Sequence, residues 1–215
     1  MTVTADQPLI SIDVVPVRFN RAGRTVDVIL GRRVNDPAKG ASALPGVLLL
    51  GAERLDDAVQ RALETKIGVS AEEVLRTGEV GVFDNPDRDP RGPTLSITRF
   101  AVLTETAELG VDAVPTPIGS ATGLPFDHDQ ITRVAAATLL DKLWADRDAT
   151  VALLGREFTT LDAADLADSL AGPAGRPQVD RTNLSRFIVR TRWVEEVGRA
   201  AVAKQGRRPA VWRFR

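Results

Sequence analysis

One short stretch of the chain combines acidic and basic side chains on a single predicted helix. Apolar residues recur at helical spacing over Leu55–Ile67, and Gly68 follows where a glycine would end the helix. Glu53 and Glu64 supply carboxylates, and carboxylate oxygens are ligands that Mg²⁺ accepts. Lys66 opposes such a site, because a fixed positive charge about 4 Å from a metal costs on the order of several kcal/mol even at an effective dielectric of about 20.

The segment from residue 43 to residue 69 resembles a Nudix box, whose pattern is G-x5-E-x7-R-E-U-x-E-E-x-G-U with U aliphatic. The residues that keep this register are Glu53, Arg61, Leu63, Gly68 and Val69. The residues that depart from it are Val47 at the opening glycine, Ala62 at the acid after the arginine, and Thr65 and Lys66 at the acidic pair. Glu64 is displaced from that pair by one residue, about 100° around the helix. The resemblance implies a hydrolase scaffold, and the departures predict neither catalytic nor metal-binding residues. The alternative is an ordinary charged surface helix.

Composition places the chain among ordinary globular proteins of one large domain or two small ones. It has 215 residues, no cysteine, no apolar run of about 18 residues and no basic-then-apolar signal pattern at its start. These features predict a cytoplasmic protein with no membrane segment.

Charge is distributed unevenly along the chain. Residues 176–215 contain eleven Arg or Lys against three Asp or Glu, a net charge of +8, which leaves a net charge of −9 for residues 1–175. A basic segment of this density is typical of nucleic-acid binding. The alternatives are a solvated basic terminus and one that folds back on the acidic part.

The pattern of elements predicts an α+β protein in two parts. Strands are expected at residues 10–19, 26–31, 79–83 and 94–103 around the box helix, which favours a mixed sheet with flanking helices. One long helix is expected at about residues 129–154, and it would end a first domain of residues 8–154.

Residues 155–215 predict a winged helix-turn-helix. A helix capped by Thr160 is expected over residues 161–170, and a second helix from Asp180 to about Val197. Strands at residues 199–203 and 210–214 would form a basic hairpin, the wing.

The second of these helices is suited to the major groove of DNA. Asn183, Arg186 and Arg190 share one helical face, while Leu184, Phe187 and Ile188 are expected to pack inward. The full set of predicted DNA-binding residues is Thr182, Asn183, Ser185, Arg186, Arg190, Arg192, Arg207 and Arg208, the last two on the wing. For any single arginine the alternative is a surface salt bridge.

Taken together, these motifs resemble one family, the Nudix-related transcriptional regulators of NAD metabolism of the NrtR type. The resemblance covers nearly all of residues 8–215 and is most specific in the Asp-Arg-Asp-Pro-Arg loop at residues 87–91 and the Arg-Pro-Ala wing at residues 208–210. It implies a Nudix-fold sensor that binds ADP-ribose or a related nucleotide. It also implies a homodimer that represses NAD biosynthesis or salvage genes on a palindromic double-stranded operator, with the nucleotide weakening DNA binding. Val47 adds a side chain where the family has a glycine at a tight position.

Candidate effector contacts follow from the chemistry of a pyrophosphate and an adenine. Guanidinium groups bind phosphates, and Phe19 offers a stacking surface. The predicted effector-binding residues are Phe19, Arg32, Arg33, Arg88 and Arg91, and the alternative for each is an ion pair or ordinary packing. Arg61 is expected to orient the box, and the sole histidine, His128, to form a structural hydrogen bond, since one histidine without cysteine cannot make a zinc site.

The sequence therefore favours a dimeric repressor with a catalytically inactive sensor, coupled to the DNA reader through the helix at 129–154. Two other functions stay open. One is an active Nudix hydrolase with a basic tail, and the other is a DNA-binding protein whose Nudix domain only dimerises.

Overall fold

The computed structural model describes residues 7–200 and 208–215. Within these residues the strands are β1 (Leu9–Asn20), β2 (Thr25–Arg32), β3 (Ser42–Ala43), β4 (Gly46–Leu48), β5 (Val74–Phe83), β6 (Thr94–Leu103), β7 (Ala113–Pro117), β8 (Glu157–Thr159), β9 (Val194–Arg199) and β10 (Ala210–Phe214). The helices are α1 (Leu55–Ile67), α2 (His128–Lys142), α3 (Arg147–Leu154), α4 (Thr160–Ala171) and α5 (Arg181–Arg190). Among the described helices, none has the length and apolar character to cross a membrane.

The first seven strands form one mixed sheet in the order β3-β2-β1-β6-β5, with β4 added to β1 and β7 to β2. β1 and β6 run parallel, and the other pairs are antiparallel. β1 is buried on both faces, because helices cover both sides of the sheet. Ile12 and Val14 belong to the core under α1, whereas Val15 and Val17 belong to the core shared with α2 and α4. The mixed sheet with flanking helices is confirmed.

The box helix has the predicted bounds. α1 buries an apolar face that includes Ala58, Ala62 and Leu63 against the sheet. It ends at Gly68, which adopts a left-handed conformation with φ of 71° and donates its N–H to the carbonyl of Glu64. A Cβ at Gly68 would also lie 2.9 Å from the Gly110 backbone, so both conformation and space require glycine here.

The single long helix predicted for residues 129–154 is wrong, because the chain breaks between α2 and α3. Asp146 caps α3 by accepting a hydrogen bond from Ala149 N–H, and Trp144 takes a positive φ of 73°. Its ring then lies 5.8 Å from each of the rings of Phe158 and Phe187. Local capping and the packing of the partly buried indole against these rings outweigh helical continuity.

The last part of the chain runs α3, β8, α4, α5, β9 and β10, with a three-stranded sheet in the order β8-β10-β9. This helix–strand–helix–helix–hairpin order confirms the winged helix-turn-helix in the α+β fold. β8 is a strand that the sequence did not predict.

Two of the predicted boundaries in this module are corrected. Thr159, rather than Thr160, caps α4, in a reciprocal capping box with Asp162. α5 ends at Arg190 instead of about Val197, since residues 194–199 pair with β10 as the first wing strand. That strand lies earlier than predicted, and residues 201–203 lie outside the described part.

Candidate functional site

A cavity of about 450 Å³ opens beside the box helix. Its walls are β4 with the loop that leads to α1, the last turn of α1, the end of β2, and the loop between β5 and β6. The basic residues that line it are Arg32, Arg33, Arg61, Lys66, Arg88 and Arg91, against the acidic residues Asp13, Asp89 and Asp112. Cations therefore outnumber anions around this cavity, which suits an anionic ligand.

Glu53 and Arg61 form a bidentate ion pair, with Nε and Nη2 of Arg61 each 2.8 Å from a carboxylate oxygen. Arg61 also donates to the carbonyl of Leu48, and Glu53 accepts the N–H of Leu50. The hydrogen bond from Arg61, with that from Leu50, lowers the pKa of Glu53 to about 2. Arg61 thus orients the box loop, the role expected from its place in the pattern.

The positions where a Nudix box carries its other acids do not converge on a metal. Ala62 is buried in the core under α1, and Thr65 donates its hydroxyl back to the carbonyl of Arg61. Lys66 is exposed and lines the cavity. Across the described ranges, 7–200 and 208–215, no three acids, histidines or cysteines lie close enough together to hold a metal ion. The donor set present here does not fit Mg²⁺.

A buried polar cluster supports the cavity floor. The guanidinium of Arg88 donates to Asp13 at 2.9 Å and to Asp127 at 2.7 Å, and its Nη1 donates to Ser11. Burial alone would lower the pKa of Arg88, but the bonds to Asp127 and the charge of Asp13 outweigh it and raise that pKa. Ser96 donates to Asp13 as well. Arg88 lines the cavity as part of an ion-paired cluster, which was the alternative to a ligand contact.

The other predicted effector arginines lie at the cavity wall. Arg33 lies over the ring of Phe126, 4.8 Å from its centroid, and donates to the carbonyl of Pro37. Burial and the neighbouring charge of Arg91 lower the pKa of Arg33. Arg91 itself pairs with Asp89 at 2.6 Å. The structure therefore brings together Arg32, Arg33, Arg88 and Arg91.

Phe19 was predicted to stack on the effector, and this prediction is wrong. Its side chain is 5% exposed and belongs to the core shared with α2 and α4, away from the cavity lining. Phe126, which sequence reasoning missed, is the aromatic ring at the cavity. The sequence did not place Phe126 at the cavity, because its position there depends on a backbone φ of 62° and on tertiary packing beside His128.

His128 forms the structural hydrogen bond that was expected of it. Its Nδ1 accepts the N–H of Leu44 at 3.0 Å, which ties α2 to the strand before the box. The imidazole is buried, and this burial lowers its pKa. Neutral His128 thus fixes one wall of the cavity.

Val47 does not occupy the tight backbone position that the family pattern suggested. It lies in β4 opposite Ile12, and its side chain packs on the core under α1 while lining the cavity. The tight position is Gly46, where a Cβ would clash with Oδ1 of Asp13. The backbone of the cavity wall therefore accommodates Val47.

The predicted DNA-reading residues lie on the exposed side of α5 or beside it. Leu184 and Ile188 are buried, whereas Thr182, Asn183, Arg186 and Arg190 are exposed and Ser185 is half-buried. Arg186 and Arg190 have no hydrogen-bond or ion-pair partner among the residues that the structure describes. The expectation that Phe187 packs inward is wrong, since 47% of it is exposed, and its ring meets that of Trp144 edge-on.

Some residues predicted to contact DNA form hydrogen bonds within α5 or with its N-cap, and others lie outside that helix. Asp180 caps α5 and accepts both the backbone N–H and the side-chain amide of Asn183. Ser185 donates to the carbonyl of Arg181. Arg192 and Arg208 are exposed, after α5 and before β10 respectively. Arg207 lies outside the described residues.

An ion-pair bridge links the first sheet to the C-terminal winged module, and sequence reasoning missed it. The turn between β1 and β2 carries Arg24, which binds Asp165 of α4 with two hydrogen bonds of 2.5 and 2.7 Å. The same carboxylate lies 3.5 Å from Arg181, the first residue of α5. In the same turn Arg21 pairs with Asp162 at 2.9 Å and donates to the carbonyl of Leu154.

Comparison with known proteins identifies the class. No family model matches the chain. This chain is 30% identical over 130 residues to the ADP-ribose pyrophosphatase of Methanocaldococcus jannaschii. The aligned residues cover 59% of this chain and 72% of that enzyme. The chain belongs to the Nudix family, as its box, its mixed sheet and this relative show together.

Over nearly its whole length, the chain shares its fold with a solved Nudix-type regulator. NrtR of Shewanella oneidensis, solved in complex with a 27mer DNA, superposes with a TM-score of 0.69 at 21% identity, over 96% of this chain and 93% of that one. The NUDIX domain of the same protein, solved with ADP ribose, covers 65% of this chain and 93% of its own length with a TM-score of 0.56 and 23% identity. The resemblance to the NrtR type is thus confirmed at the level of the fold.

Proposed function

We propose that the protein is a homodimeric transcriptional repressor of NAD biosynthesis or salvage genes that responds to ADP-ribose or a related nucleotide. In this proposal α5 and the wing bind palindromic operator DNA, and the cavity beside the box helix binds the nucleotide without hydrolysing it. The observation that carries the proposal is a direct bridge, Arg24–Asp165–Arg181, between the Nudix sheet and the DNA-reading helix.

The exposed face of α5 supports DNA binding. Arg186 and Arg190 are exposed and are not neutralised by any described carboxylate, so their guanidiniums are available to guanine edges or phosphates. The short N-terminal turn of α5 offers Thr182 to the DNA backbone. The resemblance in fold to an NrtR solved with DNA adds support.

The cavity supports nucleotide binding. Its volume of about 450 Å³ suits a dinucleotide-sized ligand, Arg33 and Arg91 lie over the ring of Phe126 at its wall, and Arg32 belongs to the same lining. An ADP-ribose complex is known for the similar NUDIX domain of Shewanella NrtR. These three arginines remain our candidates for contacts to the pyrophosphate, whereas Arg88 is assigned to the floor that holds them.

Coupling between the two parts is assigned to the turn between β1 and β2, in place of the helix expected at residues 129–154. A ligand can shift an equilibrium only through different interactions with the two states. β2 runs from this turn at one end to the cavity at the other, where Arg32 lines the wall. A nucleotide that moves the cavity end of β2 therefore acts on Asp165 and on the position of α5.

In this proposal residues 8–154 form the sensor domain and residues 155–215 form the DNA-binding domain, as predicted from the sequence. DNA access also requires the cytoplasmic location expected from the sequence. The domain bounds and the cytoplasmic location are therefore parts of the proposal.

A second function, hydrolysis of ADP-ribose, is favoured by the archaeal pyrophosphatase relative. The geometry opposes it, because Ala62, Thr65 and Lys66 leave the box without an acidic cluster. Incubation with ADP-ribose and Mg²⁺ separates the two functions. We expect no AMP above a protein-free control, and metal-dependent turnover would establish the hydrolase instead.

The decisive experiment is a gel shift on DNA upstream of NAD biosynthesis or salvage genes, with and without ADP-ribose. We expect specific binding that the nucleotide weakens. Calorimetry with ADP-ribose separates this function from a protein whose Nudix domain only dimerises, since that protein would bind DNA but release no heat with the nucleotide.

Base readout by α5 has its own test. Arg186→Ala is expected to cost about 1–3 kcal/mol on the operator and to relax base preference, while Arg208→Ala weakens binding to all sequences alike. Equal losses on operator and random duplexes for both variants would remove the base-reading role of Arg186.

A further inference from the structure

One end of the cavity brings together the last turn of α1 and the end of β2. The two elements touch at Gly31, where a Cβ would lie 3.0 Å from the carbonyl oxygen of Lys66. Because this contact is so close, Lys66 and Arg32 enter the cavity from adjacent backbone positions. In a Nudix box this end of the helix carries the acidic pair, so the charge at this place is reversed in this chain.

The cations around the cavity fall into two groups. Arg61, Arg88 and Arg91 are each bound to a carboxylate, namely Glu53, Asp13 with Asp127, and Asp89. Among the described residues, the side chains of Arg32 and Arg33 donate only to backbone carbonyls of the loop between β2 and β3. The ammonium of Lys66 has no hydrogen-bond or ion-pair partner within residues 7–200 and 208–215.

The carboxylates close to this end do not cancel the free charges. Glu53 is held by Arg61, and Glu64 accepts a hydrogen bond from Gln60 on the outer side of α1, outside the cavity lining. Asp112 is the remaining acidic residue at this end of the lining, set against Arg32, Arg33 and Lys66. The local balance is positive, which repels a divalent cation and attracts a phosphate.

We infer that Lys66 takes the place of the metal ion in this site, so that the cavity binds the diphosphate of its nucleotide directly and without Mg²⁺. A lysine ammonium is a compact positive charge with three donors, which makes it a phosphate ligand in its own right. Arg32 and Arg33 complete the anion subsite. This inference rests on the proposed nucleotide function and adds to it how the phosphates are neutralised.

Calorimetry with ADP-ribose tests the inference, first in EDTA and then in excess Mg²⁺. We expect wild-type affinity to be the same in both. Lys66→Met is expected to weaken binding about tenfold or more in EDTA, because a charged hydrogen-bond donor to phosphate is lost. Lys66→Glu is expected to weaken it further and to regain part of the affinity when Mg²⁺ is added.

Lys39→Met is the matched control, because Lys39 is an exposed lysine outside the cavity lining, and it should bind as the wild type does. Adenosine, which has no phosphate, should bind Lys66→Met and the wild-type protein equally. Wild-type binding that requires Mg²⁺, or unchanged affinity in Lys66→Met, would overturn the inference.

Inorganic pyrophosphate separates failure of the inference from failure of the proposed function. If the wild type binds pyrophosphate without metal and Lys66→Met does not, the anion subsite stands even when ADP-ribose fails to bind. If neither ligand binds in EDTA, the subsite itself is refuted. Since Lys66 is exposed and its side chain makes no hydrogen bond or ion pair with the described residues, its variants are expected to fold normally.

Discussion

The bridge between Arg24 and Asp165 gives the sharpest test of the proposed coupling between the two parts of the protein. Asp165 lies in α4, 7% exposed, and receives two hydrogen bonds from a turn of the Nudix sheet. Truncating each partner alone and both together, as Arg24→Ala, Asp165→Ala and the double variant, isolates their interaction.

The expected magnitude follows from burial and geometry. Hydrogen bonds to charged groups contribute about 1.5–3 kcal/mol, whereas exposed ion pairs contribute about 0–1 kcal/mol. The carboxylate is buried, but the side chain of Arg24 is 44% exposed, which lets water screen the pair. We therefore expect an interaction energy of about 1–2 kcal/mol in the free energy of unfolding.

Alanine is a better replacement for Arg24 than glycine because of the backbone conformation at this position. Arg24 adopts a positive φ of 58°, so a glycine would relieve strain of about 1 kcal/mol and mask the lost ion pair. Alanine keeps that strain in every variant. The gain in helix propensity at position 165 also cancels in the cycle.

The assay is urea unfolding of the four proteins, with the pair Arg213–Glu157 as the control. That pair has two guanidinium hydrogen bonds, but both side chains are about half exposed and both lie in the C-terminal winged module. Its interaction energy should fall below about 1 kcal/mol. An Arg24–Asp165 value no larger than that of the control would refute our account of the bridge.

The same variants test whether the bridge couples nucleotide binding to DNA binding. If the turn carries the signal, Asp165→Ala should bind operator DNA with little response to ADP-ribose, while Glu157→Ala keeps the response. A full response in Asp165→Ala, despite its lower stability, would make the bridge merely structural.

Three further predictions concern the cavity walls. Burial lowers the pKa of His128, the sole histidine. As the pH falls below about 6.5, the imidazole is therefore protonated in the unfolded chain before it is protonated in the folded protein. The free energy of unfolding should therefore fall as pH drops through about 6.5, by at most about 1.4 kcal/mol per pH unit, and His128→Gln should remove that slope in urea melts at pH 5.5–7.5. Gly46→Ala should destabilise by about 1–3 kcal/mol in thermal or urea unfolding, because its Cβ meets Asp13, whereas Gly51→Ala, with open space around it, should not. The pKa of Glu53 is lowered to about 2, so the stability it adds is present above about pH 4.5 and is lost as pH falls toward 2. The difference in unfolding free energy between wild type and Glu53→Gln should narrow over that range, and a constant difference would argue against the ion pair.

Periodic and local signals made much of the fold predictable. The bounds of α1 and β6 follow from apolar periodicity, and the C-terminal stop at Gly68 follows from a local backbone requirement. The arginines around the cavity were predictable as a group, since their loops border the box helix. Boundaries that depend on distant partners were not, as the early end of α5 shows, because its continuation is decided by pairing with β10.

The sequence by itself determined the Nudix scaffold, the loss of the acidic pair at Thr65 and Lys66, and the basic helix of the C-terminal module, because each depends on local spacing and residue type. Only the tertiary structure decided which charges are already neutralised. It bound Arg88 to Asp13 and Asp127, buried Phe19 in the core, and joined Arg24 to Asp165 across 141 positions of the chain. Ion pairing and burial depend on which distant side chains share a space, and no local pattern in the sequence carries that information.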